Sequence, residues 1–382
     1  MKVIVTGGGS GGHIAPVLAV AHELKKLQVD EVIYIGQKGD GLLDVVKEDP
    51  SIDKVVTISA GKLRRYSGEG WHQLLDVKSQ LLNVRDVFRT LVGLIQSYRW
   101  IGREKPAVVF TRGGFISVPV ALAARLRGVP YITHDADSMP SLANRLIARW
   151  AAYHAVTMPI AAYPENKTVV TGIPADHAYQ VVSPADQKAF RRSLELEEYG
   201  QVLLVTGGGN GARALNMIVV SNAKYLLSRY PDLVILHFTG RALEQETVAA
   251  YKALGLGGAR NRVKIFGFVT DFYRYSGAAD VIVGRGGMSS LAEFAMQRKA
   301  CVLVPSPQLS WNVKNSHVLA RQGCIVELSE DQAEQPDRLG HVIGELLDSP
   351  ARRQELGKAL GKISRPRAAY EIADLTVKAG KR

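Results

Sequence analysis

One local pattern occurs twice in the chain and constrains the rest: a short apolar strand, a run of glycines, then a helix. Lys2-Val3-Ile4-Val5-Thr6 is a β-branched apolar run that reads as a buried strand. Gly7-Gly8-Gly9-Ser10-Gly11-Gly12-His13 follows. Val17, Leu18, Val20, Ala21 and Leu24 then fall at helical spacing, with Pro16 near the helix start, where its missing N–H costs nothing. Val202–Thr206, Gly207-Gly208-Gly209-Asn210-Gly211-Ala212 and a helical stretch from Arg213 repeat the unit. Glycines let the backbone turn tightly and let a ligand approach its N–H groups. The helix start behind them favours an anion. Two such units, roughly 200 residues apart, predict two similar α/β domains.

The spacing is not the dinucleotide fingerprint. A G-x-G-x-x-G can be forced at Gly7, Gly9 and Gly12, but Gly8 and Gly11 are extra. The second strand, Val32-Ile33-Tyr34-Ile35, runs into Gly36-Gln37-Lys38, where a ribose-binding carboxylate would stand. A dinucleotide oxidoreductase is therefore disfavoured.

At 382 residues the chain suits two domains, and 46% hydrophobic with 22% charged residues describes a folded globular protein. Cys301 and Cys324 have no metal-ligand spacing and read as buried apolar thiols in a reducing compartment. Nothing at the start reads as a leader, and no apolar run is long enough to span a bilayer. The net charge of +12 admits nucleic acid as a partner, but it is uneven. Residues 61–130 hold twelve Lys or Arg against four Asp or Glu, mixed with Leu63, Tyr66, Trp71, Leu74, Leu75, Leu81 and Leu82. Basic and apolar residues together suit an anionic membrane surface rather than nucleic acid; a solvated basic face is the plain alternative.

Along residues 1–172 strands and helices alternate. Strands are expected at 2–6, 32–35, 55–58, 108–111, 129–132, 154–158 and 168–171. Helices are expected at 14–27, 40–48, 71–103, 118–127 and 141–150. Arg112-Gly113-Gly114-Phe115-Ile116-Ser117 is a further glycine turn. Gly172-Ile173-Pro174 begins a linker. The second domain, 173–362, has expected strands at 202–206, 233–238, 263–266, 281–284, 301–304 and 324–327. The basic helical stretch at 363–382 is free to pack back on the first domain. The alternation predicts two doubly wound parallel sheets, with the glycine turns gathered at the strand C-termini around one cleft.

Val281-Ile282-Val283-Gly284-Arg285-Gly286-Gly287-Met288-Ser289-Ser290-Leu291-Ala292-Glu293 is strand, glycine turn, helix. Serine hydroxyls and N–H groups at such a helix start can hold a diphosphate, and Glu293 can accept both hydroxyls of a ribose. With this segment in view, the chain resembles the MurG family. Those transferases move N-acetylglucosamine (GlcNAc) from a UDP donor to the muramyl-pentapeptide lipid of peptidoglycan synthesis, lipid I, forming lipid II. The matching stretches are 7–16, 112–119, 207–216 and 284–293, with 311–320 a weaker match.

The resemblance implies a GT-B fold of two Rossmann-like domains. It implies an inverting, metal-independent and cofactor-free transfer by a peripheral enzyme on the cytoplasmic membrane face. The partners implied are UDP-GlcNAc, the undecaprenyl-pyrophosphoryl-muramyl-peptide lipid and the anionic bilayer. Carried over by position, Ser10, Gly11, Gly12, His13 and the aromatic turn residue Phe115 fall on the acceptor side. Met288, Ser289, Ser290, Leu291, Ala292 and Glu293 cradle the UDP. Gly209 and Asn210 approach the phosphates, with Arg285 beside them. Val269 offers backbone to the uracil, and Asn312 meets the sugar. His13, with an ordinary near-neutral pKa, is the expected base, assisted by Asp137; His134 is a weaker candidate.

The chain departs from the family pattern at His134-Asp135-Ala136-Asp137, at Gly172-Ile173-Pro174-Ala175-Asp176, where a basic residue is expected, at Trp311-Asn312 and at Phe115. Alternatives are a relative acting on another lipid-linked sugar, a UDP-GlcNAc epimerase, and a non-catalytic lipid-sugar binding protein.

Overall fold

A computed structural model of the chain describes residues 1–8, 11–62, 77–137, 139–256 and 262–381. Expectations placed on Ser10 and on Leu63, Tyr66, Trp71, Leu74 and Leu75 lie outside the described residues. The chain divides into one unit of residues 1–176 with 365–382 and a second of 177–364.

The first unit runs β1 (Lys2–Thr6), α1 (Gly11–Lys26), β2 (Glu31–Gln37), α2 (Leu43–Glu48), β3 (Lys54–Ile58), α3 (Val77–Glu104), β4 (Val108–Thr111), α4 (Ser117–Leu126), β5 (Tyr131–Asp135), α5 (Leu142–Ile147), β6 (Tyr153–Val156) and β7 (Thr168–Val170). The seven strands are parallel, in the order β3-β2-β1-β4-β5-β6-β7. Val3, with no exposed surface, pairs with Val32 on one side and Val108 on the other. Strand order reverses between β1 and β4, so the loops after those two strands open at the crevice where ligands bind such sheets. The chain leaves β1 at Gly7-Gly8, the start of the first glycine run, and the turn after β4 is Arg112–Ser117.

Beyond shifts of a few residues at element ends, two differences from expectation bear on the first unit's ligand-side loops. Helix α1 starts at Gly11, so Pro16 lies inside it and removes one N–H from the ladder. Strand β5 continues through Thr133, His134 and Asp135, which were read as its polar end. All three are buried, and each has a partner: Thr133 Oγ1 with His154 Nδ1 at 2.8 Å, His134 Nε2 with the Gly172 carbonyl at 2.8 Å, and Asp135 with the Tyr163 hydroxyl at 2.5 Å. His134 Nδ1 alone among these groups is buried without a partner; the bonds the others make let polar residues extend a buried strand.

The second unit holds α6 (Pro184–Ser193), β8 (Gln201–Thr206), α7 (Arg213–Arg229), β9 (Leu233–Phe238), α8 (Glu244–Ala253), β10 (Val263–Phe266), α9 (Phe272–Ala278), β11 (Val281–Gly284), α10 (Met288–Met296), β12 (Ala300–Leu303), α11 (Ser310–Arg321), β13 (Val326–Glu327), α12 (Glu330–Glu334), α13 (Arg338–Asp348) and α14 (Pro350–Gly361). Its six strands, also parallel, run β10-β9-β8-β11-β12-β13. Successive residues of each strand feed opposite faces, as period-2 geometry requires. Leu203, Val205, Val281, Val283 and Val302 join the core on one face, while Val202, Leu204, Ile282, Cys301 and Leu303 join the core on the other. Both cysteines are free and buried. Here the order reverses between β8 and β11, again behind two glycine loops.

The last helix, α15 (Ala368–Gly380), belongs to the first unit. Ile372, Ala373 and Ala379 are fully buried on it, and the Gly380 backbone approaches Val108 so closely that a Cβ there would lie 3.0 Å from its methyl.

Candidate functional site

The second unit contains a cavity of about 600 Å³ at its switch point. One wall is the loop after β8. Gly208 and Gly211 sit at φ +82° and +73°, and a Cβ on Gly211 would overlap the Thr239 carbonyl oxygen at 1.8 Å, so only glycine fits. That loop is anchored from below by a buried polar chain. Asn216 Nδ2 donates to the Thr239 carbonyl (3.1 Å). His237 Nε2 donates to Asn216 Oδ1 (3.2 Å), and the Tyr251 hydroxyl donates to His237 Nδ1 (2.8 Å). Burial pushes the His237 pKa down to about 3, so the ring is neutral and can accept from the tyrosine.

The facing wall is the turn after β11. Gly286 has φ +76°, and a Cβ there would sit 2.6 Å from Ser316 Oγ. Helix α10 then begins at Met288, with its first-turn N–H groups unpaired by the helix itself. Among the expected residues, Arg285, Ser290, Leu291 and Asn312 line the cavity. Met288, Ser289, Ala292 and Glu293 share α10 but lie outside that lining, as do Gly209, Asn210 and Val269. Trp311 stands half-exposed beside Asn312 at the start of α11.

Arg285 lines the cavity, and its charge is already engaged within the protein. Its Nη1 donates to the Val304 carbonyl (3.1 Å) and to the Glu330 carboxylate, and its Nε is buried without a partner. Glu330 was missed by sequence reasoning. It opens α12 behind the Ser329–Gln332 capping box, a local signal that marks a helix start and says nothing of the arginine it meets.

In the first unit the two glycine turns approach each other. Gly113 and Gly114 both have positive φ, +83° and +82°. A Cβ on Gly114 would lie 3.6 Å from His13 Cε1 and 3.8 Å from its Nδ1, and one on Gly7 would lie 3.2 Å from Arg112 Cβ. The Ser117 hydroxyl closes the turn by donating to the Gly113 carbonyl at 2.7 Å. Phe115 is half-buried against the core. His13 Nδ1 is enclosed, with no hydrogen-bond partner among the described residues.

His13 departs from the near-neutral value of a free imidazole. Burial first, then the Arg112 cation and Lys62, push its pKa down to about 4. Asp137, expected to assist His13, exerts its charge on Arg112, together with Asp135. Arg112 is itself buried, 5% exposed, with its Nε unpartnered; the sequence showed it only as a member of a glycine turn. His134, the weaker candidate, is wholly buried, with Nε2 bonded to the Gly172 carbonyl and Nδ1 without a hydrogen-bond partner among the described residues.

Residues 3–156 match the glycosyltransferase family 28 N-terminal domain, and residues 202–372 match the family 28 C-terminal domain. The UDP-N-acetylglucosamine–N-acetylmuramyl-(pentapeptide) pyrophosphoryl-undecaprenol N-acetylglucosamine transferase of Moorella thermoacetica is 32% identical over 99% of both chains. The MurG crystal structure from Acinetobacter baumannii superposes with a TM-score of 0.68 at 24% identity, covering 99% of each chain. A UDP-GlcNAc 2-epimerase from Neisseria meningitidis, solved bound to UDP-GlcNAc, gives 0.67 at 14% identity, covering 99% of this chain and all of that one. Shape alone thus leaves transferase and epimerase level, while full-length sequence identity separates them. The chain belongs to glycosyltransferase family 28, with the MurG transferases as its relatives and the GT-B arrangement of two parallel-sheet units as its fold.

Proposed function

We propose that this chain transfers N-acetylglucosamine from UDP-GlcNAc to the muramyl sugar of a lipid-linked acceptor, with inversion. The observation that carries the donor assignment is the cavity at the second unit's switch point, where a glycine loop faces the start of α10. N–H groups and serine hydroxyls at that start suit a diphosphate. The full-length relatives supply the sugar and the acceptor class.

In this reading Ser289, Ser290 and the backbone of α10 hold the diphosphate, Glu293 takes the ribose and Asn312 the sugar. Gly209, Asn210 and Val269 complete the nucleotide contacts. The acceptor oxygen attacks the anomeric carbon as the bond from that carbon to the diphosphate oxygen breaks, and the electron pair leaves with UDP. His13 aligns the hydroxyl and relays its proton to water; a ring with a pKa of about 4 does not hold a proton at neutral pH. The helix N-terminus stabilises the leaving charge, so no metal is assigned a part.

The acceptor's lipid must stay in the bilayer, and α3 offers the surface for it. Its inner face is held tightly: a Cβ on Gly93 would fall 1.9 Å from the Ser59 carbonyl oxygen. Its outer face exposes Leu81, Val84, Phe88, Leu91 and Ile95, at helical spacing, beside Arg85, Arg89, Arg99 and Arg103. The apolar stripe lies within the basic and apolar zone read from the sequence at 61–130. No described helix is long and apolar enough to cross a membrane.

The deciding experiment measures UDP release from UDP-GlcNAc by purified protein. Release only on addition of lipid acceptor, unaffected by a chelator, is expected. Release without acceptor favours an epimerase; no release under any condition favours a binding protein.

A further inference from the structure

Taking the switch-point cavity of the second unit as the UDP site, we propose that His237 is a positioning residue for the donor: through Asn216 it fixes the Thr239–Gly240 backbone on which the glycine loop Gly208–Gly211 rests. The contact is backbone on backbone. Gly240 has φ +85°, and a Cβ there would lie 2.5 Å from the Gly211 nitrogen and 2.6 Å from the Asn210 carbonyl oxygen. Gly211 in turn has no room for a Cβ against the Thr239 carbonyl, and Gly208 and Gly211 both line the cavity. With no slack between the two segments, any turn of the Thr239–Gly240 peptide moves the cavity wall.

Four side chains set that peptide, and the direction of each bond between them is determined. Asn216 Nδ2 has two hydrogens. One goes to the Thr239 carbonyl (3.1 Å) and the other to Thr247 Oγ1 (3.4 Å), whose own hydrogen goes to the Leu243 carbonyl (2.8 Å). The amide is thereby oriented with Oδ1 toward His237, an atom that only accepts. The neutral ring has one hydrogen, so Nε2 carries it and Nδ1 accepts from the Tyr251 hydroxyl. If His237 could not donate, Asn216 would gain by flipping its amide, and the flipped amide would turn an oxygen against the Thr239 carbonyl. Asn216, His237, Thr239, Thr247 and Tyr251 are all fully buried, so water does not replace a missing link.

Calorimetric titration of UDP into the full chain tests this. His237→Leu, which removes the donor, is expected to weaken UDP binding about tenfold, while His237→Gln, which keeps an N–H, stays within about threefold of wild type. In turnover the same loss is expected in KM for UDP-GlcNAc, with kcat and KM for the acceptor little changed. Tyr251→Phe leaves the ring in place without its fixed hydrogen position, and is expected to weaken UDP about threefold. Long-range proton–nitrogen NMR of the wild type, with the His237 signal identified by its loss in His237→Gln, is expected to show the Nε2–H tautomer. An Nδ1–H ring overturns the proposal. So does unchanged UDP affinity in folded His237→Leu or, where that variant does not fold, in Tyr251→Phe. A fall in kcat with UDP affinity kept also overturns it, since that places His237 in the fold at large. Wild-type protein that does not bind UDP removes the reading of the cavity itself; wild-type binding with variants equal to it removes only the role of His237.

Discussion

Glu293 is half-buried on α10, five residues past its first residue, on the helix that opens behind the glycine turn after β11. Its carboxylate can accept from two ribose hydroxyls at once, and charge-assisted bonds of that kind are worth about 1–3 kcal/mol together. Calorimetry on Glu293→Ala is expected to show UDP affinity weakened by that amount with the fold intact; unchanged affinity takes Glu293 out of the site. His22 carries a different prediction. Its ring lies 3.1 Å from Asp49 and 3.2 Å from Asp176, and the two carboxylates raise its pKa to about 9. Asp176 stands where the family pattern has a basic residue, and here it serves as a second anion for His22. The folded pKa lies above the unfolded value of about 6.5. The stabilisation is therefore complete below pH 6.5 and is lost as pH rises through 9. Urea unfolding of wild type and His22→Ala should differ most at pH 6 and converge by about pH 10; a gap that is constant with pH refutes the ion-pair account.

Among elements, α3 shows what a sequence states and what it withholds. The helical stretch there was plain from its periodicity, and so was the mixture of apolar and basic residues. Which apolar face is covered was not, because that depends on two glycines meeting backbone from other segments. A Cβ on Gly61 would lie 1.8 Å from the Asp86 carbonyl oxygen, and one on Gly93 would meet Ser59. Gly93→Ala is accordingly expected to cost about 1–3 kcal/mol in denaturant unfolding, although alanine is the better helix former. A stabilised variant would show that the close approach is not maintained. The glycine loops after β1, β8 and β11 were legible for the opposite reason: strand, loop and helix are contiguous, so local spacing carries the geometry. Long-range pairs left no such trace. Arg285 and Glu330 stand 45 residues apart. The shift of His13 comes from burial and from Arg112, a residue of another turn.

At the scale of the whole molecule, the net charge of +12 is a long-range attraction to anionic surfaces, screened over about 8–10 Å at ordinary ionic strength. The apolar stripe of α3 is short-range and insensitive to salt. A docking surface that uses both should separate under two perturbations. Leu81 and Phe88, each 66% exposed, touch little of their own protein, so Leu81→Ser with Phe88→Ser should leave stability within about 0.5 kcal/mol. The same pair should weaken binding to vesicles of mixed anionic and neutral lipid at every salt concentration, since burial of each side chain in the bilayer is worth about 1.5–3 kcal/mol. Charge reversal at Arg99 and Arg103 should weaken binding at low salt by about 1 kcal/mol per residue and matter little at high salt. Neither change touches the cavity of the second unit, so turnover of a water-soluble acceptor analogue should stay at the wild-type level while turnover of acceptor in vesicles falls. If turnover on the soluble acceptor falls equally, the stripe serves the fold or the site rather than the bilayer. If wild-type protein ignores anionic vesicles even at low salt, α3 is not the docking surface.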